Sequence, residues 1–355
     1  MPVLLGVLGE ADAFSEGQLG ELGAAYSAGA TLVALTSVVW MRGLHVRLPV
    51  ALFLTAGFSA LAGAAFAARY SPMLVTFLVA GVGFGGVYAL MIALLAQTDD
   101  PNRSVGWQWG FGSLPGMFLL YAIPALAVPG GSAQIAFALT AGMNVVMALA
   151  AVALPDRLRS QQPNPRRAGA TGDVPVIRFR VWIGLFVVFA VYLGITGGWS
   201  FLGRIAMREG IPGQYAGVVL AIATAASSLV ALLAGEIGEI GARRGSMTAA
   251  VTAMLGGLAL IAYWPTRLGY AIGAIVFIGL ATYALTFSIG IISRLNTDQR
   301  ASGLPAAALG VGSILGPAIA GHVYQADGAR TMLLACGLSL IAGLIGYITV
   351  YGDRR

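Results

Sequence analysis

The chain alternates long apolar runs with short polar breaks. Apolar runs cover residues 19–41, 48–68, 72–97, 105–127 and 132–154, and then, past one polar stretch, 181–203, 213–235, 246–264, 268–293, 302–324 and 330–351. Each approaches or exceeds the roughly 20 residues a helix needs to cross about 30 Å of hydrocarbon. Backbone groups in lipid must bond within their own segment, so runs of this kind form helices. Most breaks carry Pro or Gly, which supply the turns. The pattern predicts an all-α polytopic membrane protein with eleven complete spans.

One break differs from the rest. Residues 155–180 carry Arg157, Arg159, Arg166, Arg167, Arg178 and Arg180, punctuated by Pro155, Pro163, Pro165 and Pro175. Five spans precede it and six follow. This predicts an N-terminal helical bundle over 1–154, a linker over 155–180 and a C-terminal six-helix bundle over 181–355.

The two parts repeat each other at an offset of 196–200 residues. Gly17-Gln18-Leu19-Gly20 returns as Gly213-Gln214-Tyr215-Ala216-Gly217, Arg47 as Arg243, and Arg103-Ser104-Val105-Gly106 as Arg300-Ala301-Ser302-Gly303. Gly110-Phe111-Gly112-Ser113-Leu114-Pro115-Gly116 returns as Gly310-Val311-Gly312-Ser313-Ile314-Leu315-Gly316. Parallel repeats of this kind are one plan of secondary transporters. The offset aligns the first complete span with the second span of the C-terminal part. Residues 1–9 then read as the remnant of an incomplete first helix. A late start codon and a natively shortened product both account for that.

Composition narrows the class. With 58% hydrophobic and 10% charged residues and a mean hydropathy of +0.85, a water-soluble fold is excluded. All 20 basic residues are arginine, and fifteen fall on the linker side of the spans. The positive-inside rule puts the linker and the C-terminus in the cytoplasm of a bacterial inner membrane. The net charge of +6 therefore sits in loops and implies no nucleic-acid partner. The lone Cys336 lies in an apolar run and reads as a packing residue. His45 and His322 lie on opposite faces and supply no metal or haem site. No paired carboxylates fall within a span and no phosphate-binding glycine loop occurs, so neither an enzyme nor a cofactor is expected.

On these features the chain resembles the major facilitator superfamily (MFS) across nearly its whole length. That family's signature loop joins the second and third helices of each half and reads Gly-x-Leu-Ala-Asp-Arg-x-Gly-Arg-Arg. Here the C-terminal copy is Gly235-Glu236-Ile237-Gly238-Glu239-Ile240-Gly241-Ala242-Arg243-Arg244. The first copy, Val39 to Leu48, keeps Arg47 but has Gly43 in place of the acid. The resemblance implies two pseudo-symmetric six-helix halves and a gating role for Glu239 and Arg243, with Arg244 and Arg47 as further basic positions of the loops. An acid and an arginine at i, i+4 pair if the helix continues. Gly312 to Pro317 resembles an antiporter element, although small residues at this spacing serve close packing as well. A fourth-helix arginine tied to proton coupling in many members has no counterpart, its place falling at Phe77 or its neighbours.

In the resembled fold the first, fourth, seventh and tenth helices line a central cavity. Candidates there are Tyr88, then Tyr192, Thr196, Trp199 and Ser200, then Tyr283, Thr286 and Ser288. Tyr192, Thr196 and Trp199 share one helical face. Gln108, between Trp107 and Trp109, is costly in lipid and so faces protein or water. Asn144 reads as an interhelical hydrogen bond. Aromatic walls with a few hydroxyls suit a small amphipathic organic solute. The expected function is secondary transport by alternating access in a monomer embedded in the bilayer, with a proton or sodium as coupling ion. The alternative is a membrane protein of the same fold that is inactive or serves as receptor or assembly factor.

Overall fold

The computed structural model describes residues 1–10, 14–41, 46–66, 69–95, 97–98, 101–126, 133–151, 153–154, 179–241, 244–295 and 304–352. All of the regular structure in them is helical. Helices α1 (Pro2–Glu10), α2 (Glu16–Trp40), α3 (Arg47–Ala64), α4 (Tyr70–Leu95), α5 (Pro101–Gly112), α6 (Leu114–Leu126) and α7 (Ala133–Ala151) form a first set. Helices α8 (Phe179–Arg208), α9 (Gly213–Gly241), α10 (Arg244–Tyr263), α11 (Arg267–Leu295) and α12 (Leu304–Gly352) form a second. Eight of these are long and apolar enough to cross a membrane by length and composition, with α12 counted once. The linker from 155 to 178 lies outside the described residues.

Local chemistry sets the helix ends. Ser15 caps α2: its hydroxyl accepts from the Gln18 amide at 3.3 Å, while Gln18 returns a bond to the Ser15 amide at 3.0 Å. This reciprocal box satisfies amides that the first turn leaves open. At the end of α8, Gly210 takes a positive φ of 72°. The Ile211 amide reaches back to the Ala206 carbonyl and the Gly210 amide to Met207, the pattern of a Schellman stop.

One expected span takes a different form, and two others meet without a loop between them. The run 105–127 is two helices broken at Ser113, where the hydroxyl bonds the Gly110 carbonyl at 2.9 Å. Pro115 follows in the first turn of α6, a position that needs no amide donor. The runs 302–324 and 330–351 hold as two helices that meet directly at Gly328, whose backbone is non-helical, and α12 names them as two arms of one element. That residue has φ +83° with nothing within 4 Å of where a Cβ would stand, so a residue free to enter the left-handed region makes the turn. The arms of α12 cover 304–327 and 329–352.

Chain direction gives the bundle a linker end and a far end. Residues 2–10 lie at the far end against α8, where Gly203 leaves room for the Pro2 carbonyl. Besides this contact of α1 with α8, the two sets meet along two seams. In one, α2 runs against the first arm of α12; in the other, α5 and α6 run against α9. Glycine makes both close. A Cβ on Gly20 would stand 2.4 Å from the Pro317 carbonyl, and one on Gly217 would stand 2.3 Å from the Leu120 carbonyl. With no hydrophobic drive between helices in lipid, the close packing that such backbone approach permits is one source of attraction, beside hydrogen bonds between helices.

Candidate functional site

The seams bring together residues that the sequence repeat pairs. In the α5/α9 seam, the Ser113 hydroxyl bonds that of Ser228 at 2.8 Å. Gly110, one turn earlier, packs against Leu232. In the α2/α12 seam, Ser313 bonds the Gly310 carbonyl at 2.8 Å, as Ser113 does with Gly110. Gly310 packs against Thr31, the counterpart of Ser228 at the repeat offset. The repeat thus reappears as matched contacts between the sets.

Between the seams lie tyrosines. The phenols of Tyr26 on α2 and Tyr88 on α4 are both within electrostatic reach of the Tyr192 phenol on α8. Tyr26 also meets Phe84 with ring centroids 6.2 Å apart. Tyr88 is 44% exposed. Of the sequence candidates, Tyr88 and Tyr192 therefore come together, and Tyr26 joins them unforeseen. It sits on the first complete span, 19–41, which is not one of the helices expected to line the cavity.

Other candidates have structural partners. The Thr196 hydroxyl bonds its own helix at the Tyr192 carbonyl, 2.8 Å, and crosses to the Gly312 carbonyl of α12 at 3.2 Å. It ties α8 to α12 below the tyrosine. Ser200 and Ser288 each bond the carbonyl four residues back, as hydroxyls inside helices do. Trp199 is half-buried against the core. Tyr283 packs its ring on Phe287 at 4.5 Å, and Thr286 is exposed. Gln108 leaves its side-chain oxygen buried without a partner. Asn144 differs from expectation: its amide bonds the Thr140 carbonyl within α7 at 2.9 Å, and its oxygen stays unpaired beside Gly57. A bond along its own helix was the nearer option.

The loop motif is partly visible. Arg47 is exposed and donates through Nε to the Leu154 carbonyl at 2.9 Å, which fastens the end of the first set. Arg244 is exposed at the start of α10. The side chain of Glu239 and the whole of Arg243 and His45 lie outside the described residues. Phe77 is buried, edge-on to Phe137. Gly312 and Gly316 seat α12 on α8, and Pro317 sits over Gly20 and Gly23, so that element serves packing.

The far end holds a charge cluster that sequence reasoning missed. Glu16 of the first set accepts from Arg204 and Arg208 of the second, both at 2.9 Å and both through the same oxygen. Glu16 is 7% exposed and Arg204 6%. A Cβ on Gly9 would stand 2.7 Å from Arg204 Nε, so the glycine opens the space this guanidinium occupies. One turn along α2, Glu21 accepts from the Tyr70 hydroxyl and pairs with His322 at 3.1 Å. Gln325 accepts from the Gly17 amide at 3.0 Å. Opposite charges at the far ends of two spans, Glu16 and Arg204, were the available signal.

No protein-family model matches the chain, and no curated protein matches it. Solved structures do. The nucleoside transporter NupG aligns with 99% of this chain and 95% of its own, with 17% identity and a TM-score of 0.73. A single-substitution variant of NupG aligns with 100% and 95%, with 16% identity and a TM-score of 0.75. The human organic anion transporter MFSD10 (TETRAN) aligns with 93% and 84%, with 16% identity and a TM-score of 0.56. The chain has the fold of the major facilitator transporters.

Proposed function

We propose that the chain is a secondary transporter that carries an uncharged, aromatic organic solute by alternating access. The moving parts are residues 1–154 and 181–355, with 155–180 as a cytoplasmic tether. The observation that carries this reading is the meeting of Tyr26, Tyr88 and Tyr192, drawn from both sets, in a stretch of the bundle away from the charged span ends. Every described acidic residue or arginine in a helix lies within about two turns of a span end. An ionised solute held midway would lack a counter-charge, which is costly at low dielectric. A ring with hydroxyls meets phenols on stacking and hydrogen-bonding terms. Of the solutes named for the structural neighbours, a nucleoside fits this description and an organic anion does not. In this reading the closed far end faces out, and Glu239 with Arg243 acts at the cytoplasmic end.

The test is uptake into proteoliposomes of uridine and of benzoate, with and without a proton or sodium gradient. Uridine uptake above that of protein-free vesicles, with a raised KM in Tyr192→Ala, is expected. Benzoate uptake without uridine uptake would overturn the solute class. Uptake of neither solute would favour a non-transporting role for this fold.

A further inference from the structure

The outer surface of the second set holds a cleft that transport between the seams does not use. It has a volume of about 230 Å3 and lies between α10 and the second arm of α12, at the far end. Leu255, Leu258 and Tyr263 line it from α10, and Leu334, Gly337 and Ile341 from α12. Gly337 creates much of the space, since a Cβ there would already stand 3.2 Å from the Leu255 side chain.

The dimensions suit one lipid tail. The lining on α12 runs from Leu333 to Ile341, about 12 Å at 1.5 Å per residue. One leaflet of hydrocarbon is about 15 Å deep, half of a core of about 30 Å. Tyr263 and Trp264, 63% and 48% exposed, stand at the top of the cleft, at the depth where such rings meet headgroups.

A cation marks the same end. Arg330 precedes Leu334, Gly337 and Ile341 at i+4, i+7 and i+11, hence on one helical face. Its Nε donates at 3.1 Å to the carbonyl of Ala262, a residue of the cleft wall. The side chain is exposed and forms no ion pair with a described carboxylate. The backbone bond fixes the fork over the cleft and leaves its terminal nitrogens available. Such a fork matches a phosphate in geometry and charge.

We propose that this cleft is a binding site for one acyl chain of an anionic phospholipid of the far-end leaflet, with the phosphate held by Arg330. The other surface helices meet lipid as well, but this face joins a leaflet-deep groove to a positioned guanidinium.

The experiment titrates purified protein with phosphatidylglycerol or phosphatidylcholine and counts bound lipid by native mass spectrometry. The parent protein retains phosphatidylglycerol in preference to phosphatidylcholine by about fivefold, the size of effect expected from one exposed charge contact. Arg330→Gln removes that preference. Gly337→Leu fills the groove and removes the retained lipid. Leu334→Trp, at a residue 51% exposed, does the same without touching the interior, which covers the case in which Gly337→Leu fails to fold. Equal retention of both lipids by the parent, or unchanged retention in Arg330→Gln and Leu334→Trp, would overturn the site. Uptake is not read in this experiment, so its failure leaves the transport reading untouched.

Discussion

The two seams between the helix sets share a plan and differ in charge. Both close by glycine against backbone, and both carry a small hydroxyl residue midway, Ser228 in one and Thr31 in the other. At the far end they part. The α5/α9 seam finishes on Leu120, Pro124 and Gly217, apolar and uncharged. The α2/α12 seam finishes on Glu21, His322 and Gln325, with Glu16 beside them bound to Arg204 and Arg208 of α8. Duplication therefore accounts for the packing, and one copy alone acquired an ionic closure. Glycine contacts are insensitive to charge and give fit. A buried ion pair with one partner in each set is costly unless the sets are together, so it reports on opening.

The largest effect should come from locking the plain seam. In a Cys336→Ala background, Ser113→Cys with Ser228→Cys places two thiols where hydroxyls now stand 2.8 Å apart, a distance from which a disulfide closes with little movement. Oxidation should remove nearly all transport, and a reductant should restore it. Full cross-linking with undiminished uptake would show that this seam never opens, and the matched-seam view would fail.

Next in size is removal of the shared acid. Glu16→Gln leaves the Arg204 guanidinium buried without a counter-charge, a change that costs about 3–5 kcal/mol at comparable sites. Thermal unfolding in detergent should show a large fall in Tm. Ser228→Ala, the matching deletion in the other seam, should cost only about 0.6 kcal/mol, the average for a hydrogen bond between helices in a membrane protein. Equal losses in the two variants would remove the asymmetry between the seams.

Much of this arrangement was legible in the sequence, and the reasons separate along physical lines. Span positions follow from apolar length, a property of each segment alone, so α3, α4 and α7 to α11 fall close to expectation. The repeat was visible because small residues recur where the seams pass close: Gly110 and Gly310 each face a side chain of the opposing set, Leu232 and Thr31. The pairing of Glu16 with Arg204 was not visible, because it joins residues 188 positions apart and depends on how the two sets dock. Tyr26 was missed for the same reason, since its neighbour Tyr192 lies across the docked faces. Asn144 and Thr196 show a third case. Hydroxyl and amide groups inside a helix have a carbonyl four residues back within reach, and a pattern of polar residues does not reveal which of them take it.

The finest comparison lies within the charged seam. Arg204 and Arg208 touch the same Glu16 oxygen at the same 2.9 Å, yet their side chains are 8% and 56% exposed. Distance alone would rank them equal. Water already solvates Arg208, so its pairing gains little over hydration, and exposed pairs contribute at most about 1 kcal/mol. Arg208→Gln should therefore lower Tm slightly, and added salt should shrink that difference further, because screening weakens exposed contacts most. Arg204→Gln removes the buried partner, and Glu16 then keeps only its exposed one. Its loss should be several times larger and nearly independent of salt. His322→Gln should fall lowest, since its contact with Glu21 is exposed on both sides, at 60% and 40%. An order of Arg204, Arg208 and His322 from large to small would show that burial sets the strength of this closure; Arg208 and Arg204 losing equally would show that distance does.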